Sequence, residues 1–318
     1  MSREVCLPPG DPTPAAFPLP AGSCDCHAHV LGPFTRYPLA DPRPYEPPEA
    51  PLAHLQAMLA TMGLERVVVA HVSAHGLDLS VTLDAVAGLG DRARGTALLR
   101  SDVGNARLDD LHAGGIRGVR LSMAYGADTP LDEAHLLGWA ERVAPLGWHL
   151  AVWPQDLAQL RMLERLAPRL AAPLVLDHLA AHGWFADGRV QHDGLAVLEG
   201  LLATGRAWLK LSGMYRAGAG PAPWQPLVKT LAALVRRHLH RMLWASDWPY
   251  VGLHDAAVRP RSGDLLDWLQ RLGLDAAARR QVLVRNPETL YGFTPAPEGA
   301  LSEGVLASAA PTQDLTDG

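Results

Sequence analysis

Two histidines separated by one residue stand in a short segment, residues 24–30, whose composition predicts a β-strand. Residues i and i+2 of a strand project to the same face, so His27 and His29 are expected to point the same way. Neighbouring imidazoles can bind a metal ion or transfer protons. The competing interpretation is that the two histidines share a polar strand face by chance. The positions of the other strands and their polar residues distinguish these two interpretations.

Seven further apolar segments follow this strand, and they alternate with longer segments of helical period. Such alternation predicts βα units and a parallel sheet. Eight strands with intervening helices predict a (β/α)8 TIM barrel, and a length of 318 residues is within the usual range for one such α/β domain. The predicted strands after the first lie at 65–72, 93–100, 116–123, 148–153, 174–178, 207–212 and 242–247.

His178 and Asp247 stand at the ends of two of these strands. Catalytic residues of a TIM barrel lie at the carboxyl ends of its strands and in the loops that follow. An isolated histidine or aspartate there is often only a hydrogen-bonded loop residue, but three histidines and an aspartate at the same end of three strands rarely coincide by chance. The pattern therefore predicts that His27, His29, His178 and Asp247 form the catalytic site.

Three cations are candidates for the same end of the barrel. Arg120 interrupts an apolar strand, where an unpaired charge would be costly, so it must face an internal acid or an anionic ligand. Its place at the barrel mouth favours the ligand. Arg216 in a glycine-rich loop is either a ligand contact or solvated, and Lys210 is either a ligand contact or one half of an ion pair. Other residues predicted to contact the substrate are Ser73, His75, Tyr125, Trp153 and Trp248.

Composition and charge restrict the class of partner. A formal net charge of -5 without clustered basic residues argues against a nucleic-acid or membrane partner and for a small soluble substrate. Three cysteines, two of them on one strand, indicate a reduced, cytoplasmic protein. Monomer and dimer remain open. We expect an irregular proline-rich arm at 1–22, the barrel at 23–293 and a flexible tail at 294–318.

Seven short motifs, taken in order, resemble the amidohydrolase superfamily and are most similar to its 2-pyrone-4,6-dicarboxylate lactonase branch. The similarity extends over roughly residues 25–293. The motifs are Asp25-Cys26-His27-Ala28-His29, His75-Gly76, Gly118-Val119-Arg120, Leu176-Asp177-His178, Lys210-Leu211-Ser212, Trp244-Ala245-Ser246-Asp247-Trp248-Pro249 and Arg285-Asn286-Pro287.

The resemblance implies a TIM-barrel hydrolase that opens a small carboxylated lactone in the catabolism of aromatic compounds. It implies that Asp247 is the general base that activates water. His27, His29 and His178 would polarise the lactone carbonyl and hold the water. Arg120 and Arg216 would bind substrate carboxylates, with help from Ser73 or His75.

Two positions depart from the lactonase pattern. The lactonases carry a second arginine six residues after the strand arginine, where this chain has Gly126, and a tyrosine where it has Trp153. A lactone with fewer negative charges, such as a monocarboxylated or sulfonated one, or a lactone bound through Tyr125 and Trp153, is therefore expected.

The need for a metal is left open. Three imidazoles and a carboxylate (His27, His29, His178 and Asp247) match the ligand shell of one zinc or manganese ion with an open water position. The lactonase branch works without a metal, so either no cofactor or one divalent ion is expected. Two other functions stay open as alternatives, a metal-dependent decarboxylase of a small unsaturated acid and a non-catalytic barrel.

Overall fold

The computed structural model describes residues 4–43, 45–121, 130–220 and 222–302. Tyr125 and Gly126 lie outside these residues. Within them, eight parallel strands form a nearly closed barrel in the order β1-β2-β3-β4-β5-β6-β9-β10, and β7 and β8 form a separate hairpin. The strands are β1 (Cys24–Ala28), β2 (Arg66–Ala70), β3 (Ala93–Ala97), β4 (Ile116–Leu121), β5 (His149–Val152), β6 (Leu174–Leu176), β7 (Phe185–Ala186), β8 (Arg189–Val190), β9 (Ala207–Leu211) and β10 (Met242–Trp244).

Helices connect the barrel strands and cover their outer face. They are α1 (Leu52–Met62), α2 (Ser80–Leu89), α3 (Asn105–Ala113), α4 (Glu133–Val143), α5 (Leu157–Leu166), α6 (His192–Ala203), α7 (Gln225–Arg237), α8 (Ser262–Arg271), α9 (Ala276–Arg280) and α10 (Asn286–Tyr291). A π-helical turn, Gln281–Arg285, joins α9 to α10. No helix among the described residues is long and apolar enough to cross a membrane.

The predicted TIM barrel is confirmed, and the strands differ from the prediction mainly at their carboxyl ends. The strand predicted at 242–247 ends at Trp244 because the next amides leave the ladder: Ser246 N–H donates to the Asp25 side chain, and Asp247 has a φ of 63°. The strand predicted at 174–178 ends at Leu176, and His178 has a φ of 51°. Both departures occur where catalytic residues were expected, which is where proteins commonly hold strained backbone. The β7–β8 hairpin was not predicted.

Two hydrophobic clusters hold the barrel together. The larger one packs the helices against the outside of the sheet. The smaller one comprises residues of several barrel strands, among them Cys26, Val68 and Val175. It also includes Tyr291 at the end of α10 and Phe293 just after it. Burial of this apolar surface fixes the strands and thereby the side chains that follow them.

The N-terminal arm runs along the barrel without regular structure. Leu7 N–H donates to the carbonyl of Leu253 at 2.9 Å, and Ala21 N–H donates to that of Ala300 at 2.9 Å. Residues 294–302 thus lie against the arm, and 303–318 lie outside the described residues. The predicted boundaries of arm and tail remain predictions.

Candidate active site

The barrel closes between β1 and the residues after β10, and this seam carries the predicted catalytic residues. Asp247 N–H donates to the His27 carbonyl at 2.9 Å, and His29 N–H donates to the Trp248 carbonyl at 2.8 Å. The Asp25 carboxylate accepts hydrogen bonds from His27 N–H and Ser246 N–H, each at 3.0 Å, and from the Ser246 hydroxyl. The hydrogen bonds that close the barrel therefore also place both histidines beside Asp247.

Three buried imidazoles surround the Asp247 carboxylate. The His27 ring centroid lies 4.9 Å from that of His29 and 5.1 Å from that of His178. Asp247 Oδ1 is 3.5 Å from His29 Nε2 and 3.8 Å from His27 Nε2, while Oδ2 is 3.8 Å from His178 Nδ1. Gly213 makes this approach possible, because a Cβ at its position would lie 2.8 Å from that of His178.

The two oxygens of Asp247 have different surroundings. Oδ2 accepts hydrogen bonds from the Tyr215 hydroxyl and from Arg216 Nε, both at 2.6 Å. Oδ1 is buried and has no hydrogen-bond partner among the described residues. Burial alone would raise the pKa of Asp247, but the Arg216 guanidinium and the neighbouring His178 hold this pKa well below its usual range. Asp247 is therefore an ionised carboxylate with one oxygen available.

Two of the histidines beside it, His27 and His178, are uncharged at neutral pH. Burial lowers the pKa of His178 to about 4, and burial together with the Lys210 ammonium lowers the pKa of His27 well below its usual range. His29 Nδ1 lies 2.6 Å from the Ala70 carbonyl, which only accepts, so Nδ1 carries a proton and Nε2 faces Asp247.

A second carboxylate, Asp177, lies beneath this cluster. Lys210 Nζ is 2.8 Å from Asp177 Oδ1 and 3.0 Å from His27 Nδ1. Arg120 Nη2 is 3.7 Å from Asp177 Oδ2, and Arg120 Nη1 donates to the His71 carbonyl. Of the two interpretations of Lys210 left open by the sequence, the geometry gives the ion pair.

A cavity of about 90 Å³ opens above Asp247. Trp153 forms one wall and meets His178 edge to face, with ring centroids 4.9 Å apart. Arg120 Nε, which is buried, has no hydrogen-bond partner among the described residues. The lining residues are His29, Tyr45, Val72, Ser73, Arg120, Trp153, His178, Arg216, Asp247, Val251 and Gly252.

Some predicted substrate contacts lie at this cavity and others do not. Ser73, Arg120, Arg216 and Trp153 line it. His75 instead has its Nδ1 3.1 Å from the Pro38 carbonyl. Trp248 is buried without lining the cavity, and Tyr125 lies outside the described residues.

Two tyrosines were missed by sequence reasoning. Tyr215 stands directly before Arg216, in the loop after β9, so its place in the chain was an available signal. Tyr45 belongs to the proline-rich segment 36–48, whose composition gives no indication that it reaches the site.

Three side chains of the cluster could hold one divalent ion. Ligand atoms of His27, His178 and Asp247 lie within 4.8 Å of one another, and two of the candidate donors, His27 Nε2 and Asp247 Oδ1, have no other partner among the described residues. By residue type alone, two imidazoles and a carboxylate are ligands that zinc and manganese bind. The two carboxylates nevertheless already have cationic partners, because Lys210 pairs with Asp177 and Arg216 with Asp247, and Arg120 supplies a further positive charge 3.7 Å from Asp177.

The fold, the histidine cluster and the sequence agree with one family. A family model for amidohydrolases matches residues 24–293. The chain belongs to the amidohydrolase family.

Two relatives of this amidohydrolase have named activities. It is 34% identical over 287 residues to the 4-sulfomuconolactone hydrolase of Rhizobium radiobacter, covering 88% of this chain and 93% of that protein. It is 31% identical over 291 residues to the 2-pyrone-4,6-dicarboxylate hydrolase of Comamonas testosteroni, again covering 88% and 93%. A ligand-free crystal structure of an Agrobacterium tumefaciens protein matches the fold with a TM-score of 0.75, at 24% identity and over 89% of this chain and 98% of that one.

Proposed function

We propose that this amidohydrolase opens the ring of a small anionic lactone by adding water to its carbonyl carbon. The observation that carries the proposal is the ionised, buried Asp247, whose Oδ1 is available at the floor of a cavity that a cationic side chain lines. The names of the two relatives support it, since both are hydrolases and one is named for a lactone. A role in the catabolism of aromatic compounds follows from the same names.

In the proposed reaction, Asp247 Oδ1 accepts a proton from water as the water oxygen bonds to the lactone carbonyl carbon. The carbonyl π electrons move to the carbonyl oxygen, where the imidazoles around the site stabilise the charge. When the carbonyl re-forms, the ring C–O bond breaks and the proton passes to the departing oxygen. A carboxylate with a lowered pKa is a weak base, so the proposal requires an electrophilic carbonyl, such as that of a conjugated lactone.

The substrate's anionic group is assigned to Arg120. Arg216 donates to Asp247 and to the Val251 carbonyl, which leaves Arg120 with a buried, unpartnered Nε among the described residues at the cavity. A guanidinium binds a carboxylate or sulfonate strongly in a partly desolvated site. The cavity thus offers one guanidinium, that of Arg120, and a flat aromatic wall, Trp153. This combination fits a monocarboxylated or sulfonated unsaturated lactone better than a dicarboxylate.

A divalent metal, where bound by His27, His178 and Asp247, would supply Lewis-acid polarisation and a more acidic water. We propose that hydrolysis does not require it, because Lys210 and Arg216 already pair with the carboxylates of Asp177 and Asp247. The three cysteines, which are unbridged and buried, fit the proposed cytoplasmic location.

The test is hydrolysis of a lactone panel by wild-type protein after exhaustive chelation. We expect a sulfonated or monocarboxylated muconolactone to react faster than 2-pyrone-4,6-dicarboxylate. Asp247→Asn should retain less than roughly a hundredth of kcat/KM, because the amide cannot accept the water proton. Asp187→Asn, at an exposed aspartate, is the control.

Three results would count against this function: more than a tenth of wild-type activity in Asp247→Asn, preference for the dicarboxylate, or activity lost with chelator and restored by zinc. The last of these, with release of carbon dioxide from an unsaturated acid, would favour the decarboxylase alternative.

A further inference from the structure

His27 sits between an ammonium group and the active-site carboxylate. Its Nδ1 lies 3.0 Å from Lys210 Nζ, and its Nε2 faces Asp247 Oδ1 at 3.8 Å. The ring is fully buried, so the protein alone decides which nitrogen carries the proton. That choice determines what the ring can do, because a protonated Nε2 donates a hydrogen bond and an unprotonated one can bind a metal.

The neighbours of Nδ1 decide the tautomer. Lys210 lies 2.8 Å from the Asp177 carboxylate, and the ammonium group of a lysine has donors and no lone pair. A proton on His27 Nδ1 would point at that ammonium, whereas a lone pair accepts a hydrogen bond from it. Asp177 Oδ1 is the competing partner, but it is farther from Nδ1, at 3.4 Å, and is already paired with Lys210.

We propose that Lys210 is a positioning residue that fixes His27 as the Nε2–H tautomer, so that the ring presents a proton beside Asp247 and cannot serve as a metal ligand. Metal-binding histidines show the opposite arrangement, in which Nδ1–H donates to a carboxylate or carbonyl and Nε2 binds the ion. Here the carboxylate that would serve, Asp177, is present 3.4 Å from Nδ1, but the Lys210 ammonium lies closer to Nδ1, at 3.0 Å, and also contacts that carboxylate. Lys210 therefore separates the metal-free use of this side-chain set from the metal-dependent one.

The choice of lysine is itself informative. The chain has only two lysines, Lys210 and Lys229, and the rest of its 28 lysine and arginine residues are arginines. An ammonium is a compact charge with three rotatable donors, which contacts Asp177 and His27 together inside the barrel, whereas a guanidinium is planar and holds its donors in a fixed fork. The inference extends the proposed function by excluding the metal, but it can be tested without any substrate.

The first experiment is NMR of wild-type protein labelled with ¹⁵N in its histidines, with His27 assigned from the signal lost in His27→Gln. We expect the shifts of a neutral ring protonated at Nε2. A proton on Nδ1 overturns the proposal, and this result requires no variant at Lys210.

The second experiment measures binding of Zn²⁺ alone by calorimetry and by metal content after dialysis. Lys210→Met frees His27 Nδ1–H to donate to Asp177, so we expect zinc affinity to rise by about tenfold or more, the usual scale of such neighbouring contacts. Lys229→Met, at an exposed lysine, should bind zinc as wild type does. If Lys210→Met does not fold, Lys210→Gln takes its place. Equal zinc affinity in wild type and the Lys210 variant would overturn the proposal.

These outcomes are distinct from failure of the proposed function. A protein with the Nε2–H tautomer and weak zinc binding that hydrolyses no lactone would refute the lactonase assignment and leave the role of Lys210 intact.

Discussion

The reactivity of Asp247 depends on how unequally its two oxygens are held. Tyr215 and Arg216 both donate to Oδ2, while Oδ1 faces two imidazoles at 3.5 and 3.8 Å. Hydrogen bonds to an ionised carboxylate stabilise the charge and fix the orientation of the group. The same hydrogen bonds make the Asp247 carboxylate a weaker base, which is sufficient when the substrate carbonyl is electrophilic.

Tyr215 therefore acts through Asp247. In Tyr215→Phe, Oδ2 keeps Arg216 and loses a hydroxyl, so the pKa of Asp247 should rise towards its usual value. We expect kcat to fall by roughly tenfold with little change in KM, and the acidic limb of the kcat/KM profile to move to higher pH, as one lost charge-assisted hydrogen bond implies.

Tyr37→Phe is the matched control, since the Tyr37 hydroxyl donates to Asp84 at 2.7 Å and neither residue lines the cavity. An acidic limb that stays in place in Tyr215→Phe, or moves equally in both variants, would show that Tyr215 has no part in setting the charge of Asp247.

At the level of elements, the seam between β1 and the segment after β10 is both a structural closure and the foundation of the site. Asp25 lies at its centre, fully buried, and accepts three hydrogen bonds from His27 and Ser246. Burial raises the pKa of Asp25 to about 6, against the effect of those hydrogen bonds.

Removing that carboxylate should cost both stability and activity. In Asp25→Ala, two buried amides and a hydroxyl lose their acceptor, which should lower the free energy of unfolding by roughly 2–4 kcal/mol. The loosened seam should also lower kcat/KM, because it carries His27 and Asp247. Urea unfolding measures the first effect and the hydrolysis assay the second.

Asp267→Ala provides the comparison, since Asp267 accepts a single exposed hydrogen bond from Ala16 N–H. We expect it to cost less than about 1 kcal/mol. Similar losses in the two variants would mean that the seam does not depend on Asp25.

The sequence predicted the residues on either side of this seam but not the contacts between them. Local hydrophobic patterns predicted all eight strands and placed His27, His29, His178 and Asp247 at one end of the barrel. They could not predict that Asp25 contacts Ser246 or that Lys210 contacts His27, because these pairs are separated by 221 and 183 residues. Nor could a proline-rich segment reveal Tyr45 as a cavity residue. Such contacts depend on closure of the barrel, which no local pattern contains.

For the molecule as a whole, burial of histidine links stability to pH. Burial lowers the pKa of His71 and of His149 to about 3, and that of His178 to about 4. Only His178 belongs to the cavity. His71 is held between the Thr82 hydroxyl at 2.8 Å and the Gly76 carbonyl at 2.9 Å, and His149 packs edge to face against Tyr291. In the unfolded chain, all three would titrate near 6.5.

These histidines should make the protein sensitive to acid. Below about pH 6.5 the unfolded chain binds protons that the folded chain excludes, so stability falls with falling pH by about 1.4 kcal/mol per unit for each group. Asp25 offsets the effect of one of the three histidines. Its pKa of about 6 in the folded protein lies above its value in the unfolded chain, so its protonation stabilises the folded state as the pH falls. For these groups the net loss is therefore roughly 3 kcal/mol per pH unit, against a total stability of about 5–15 kcal/mol. His27, whose pKa is also lowered well below its usual range by burial, adds to this loss.

We expect the urea midpoint to fall steeply between pH 6.5 and 5, followed by cooperative unfolding at lower pH. His71→Gln should reduce the slope of unfolding free energy against pH by about one proton. His54→Gln, at an exposed helix position, should leave that slope unchanged. A midpoint that is constant or rises towards pH 5 would mean that these rings titrate in the folded protein, so the linkage of histidine burial to stability would be wrong. The same series, followed by circular dichroism at the pH of the hydrolysis assay, separates loss of Asp247 function in acid from loss of the fold.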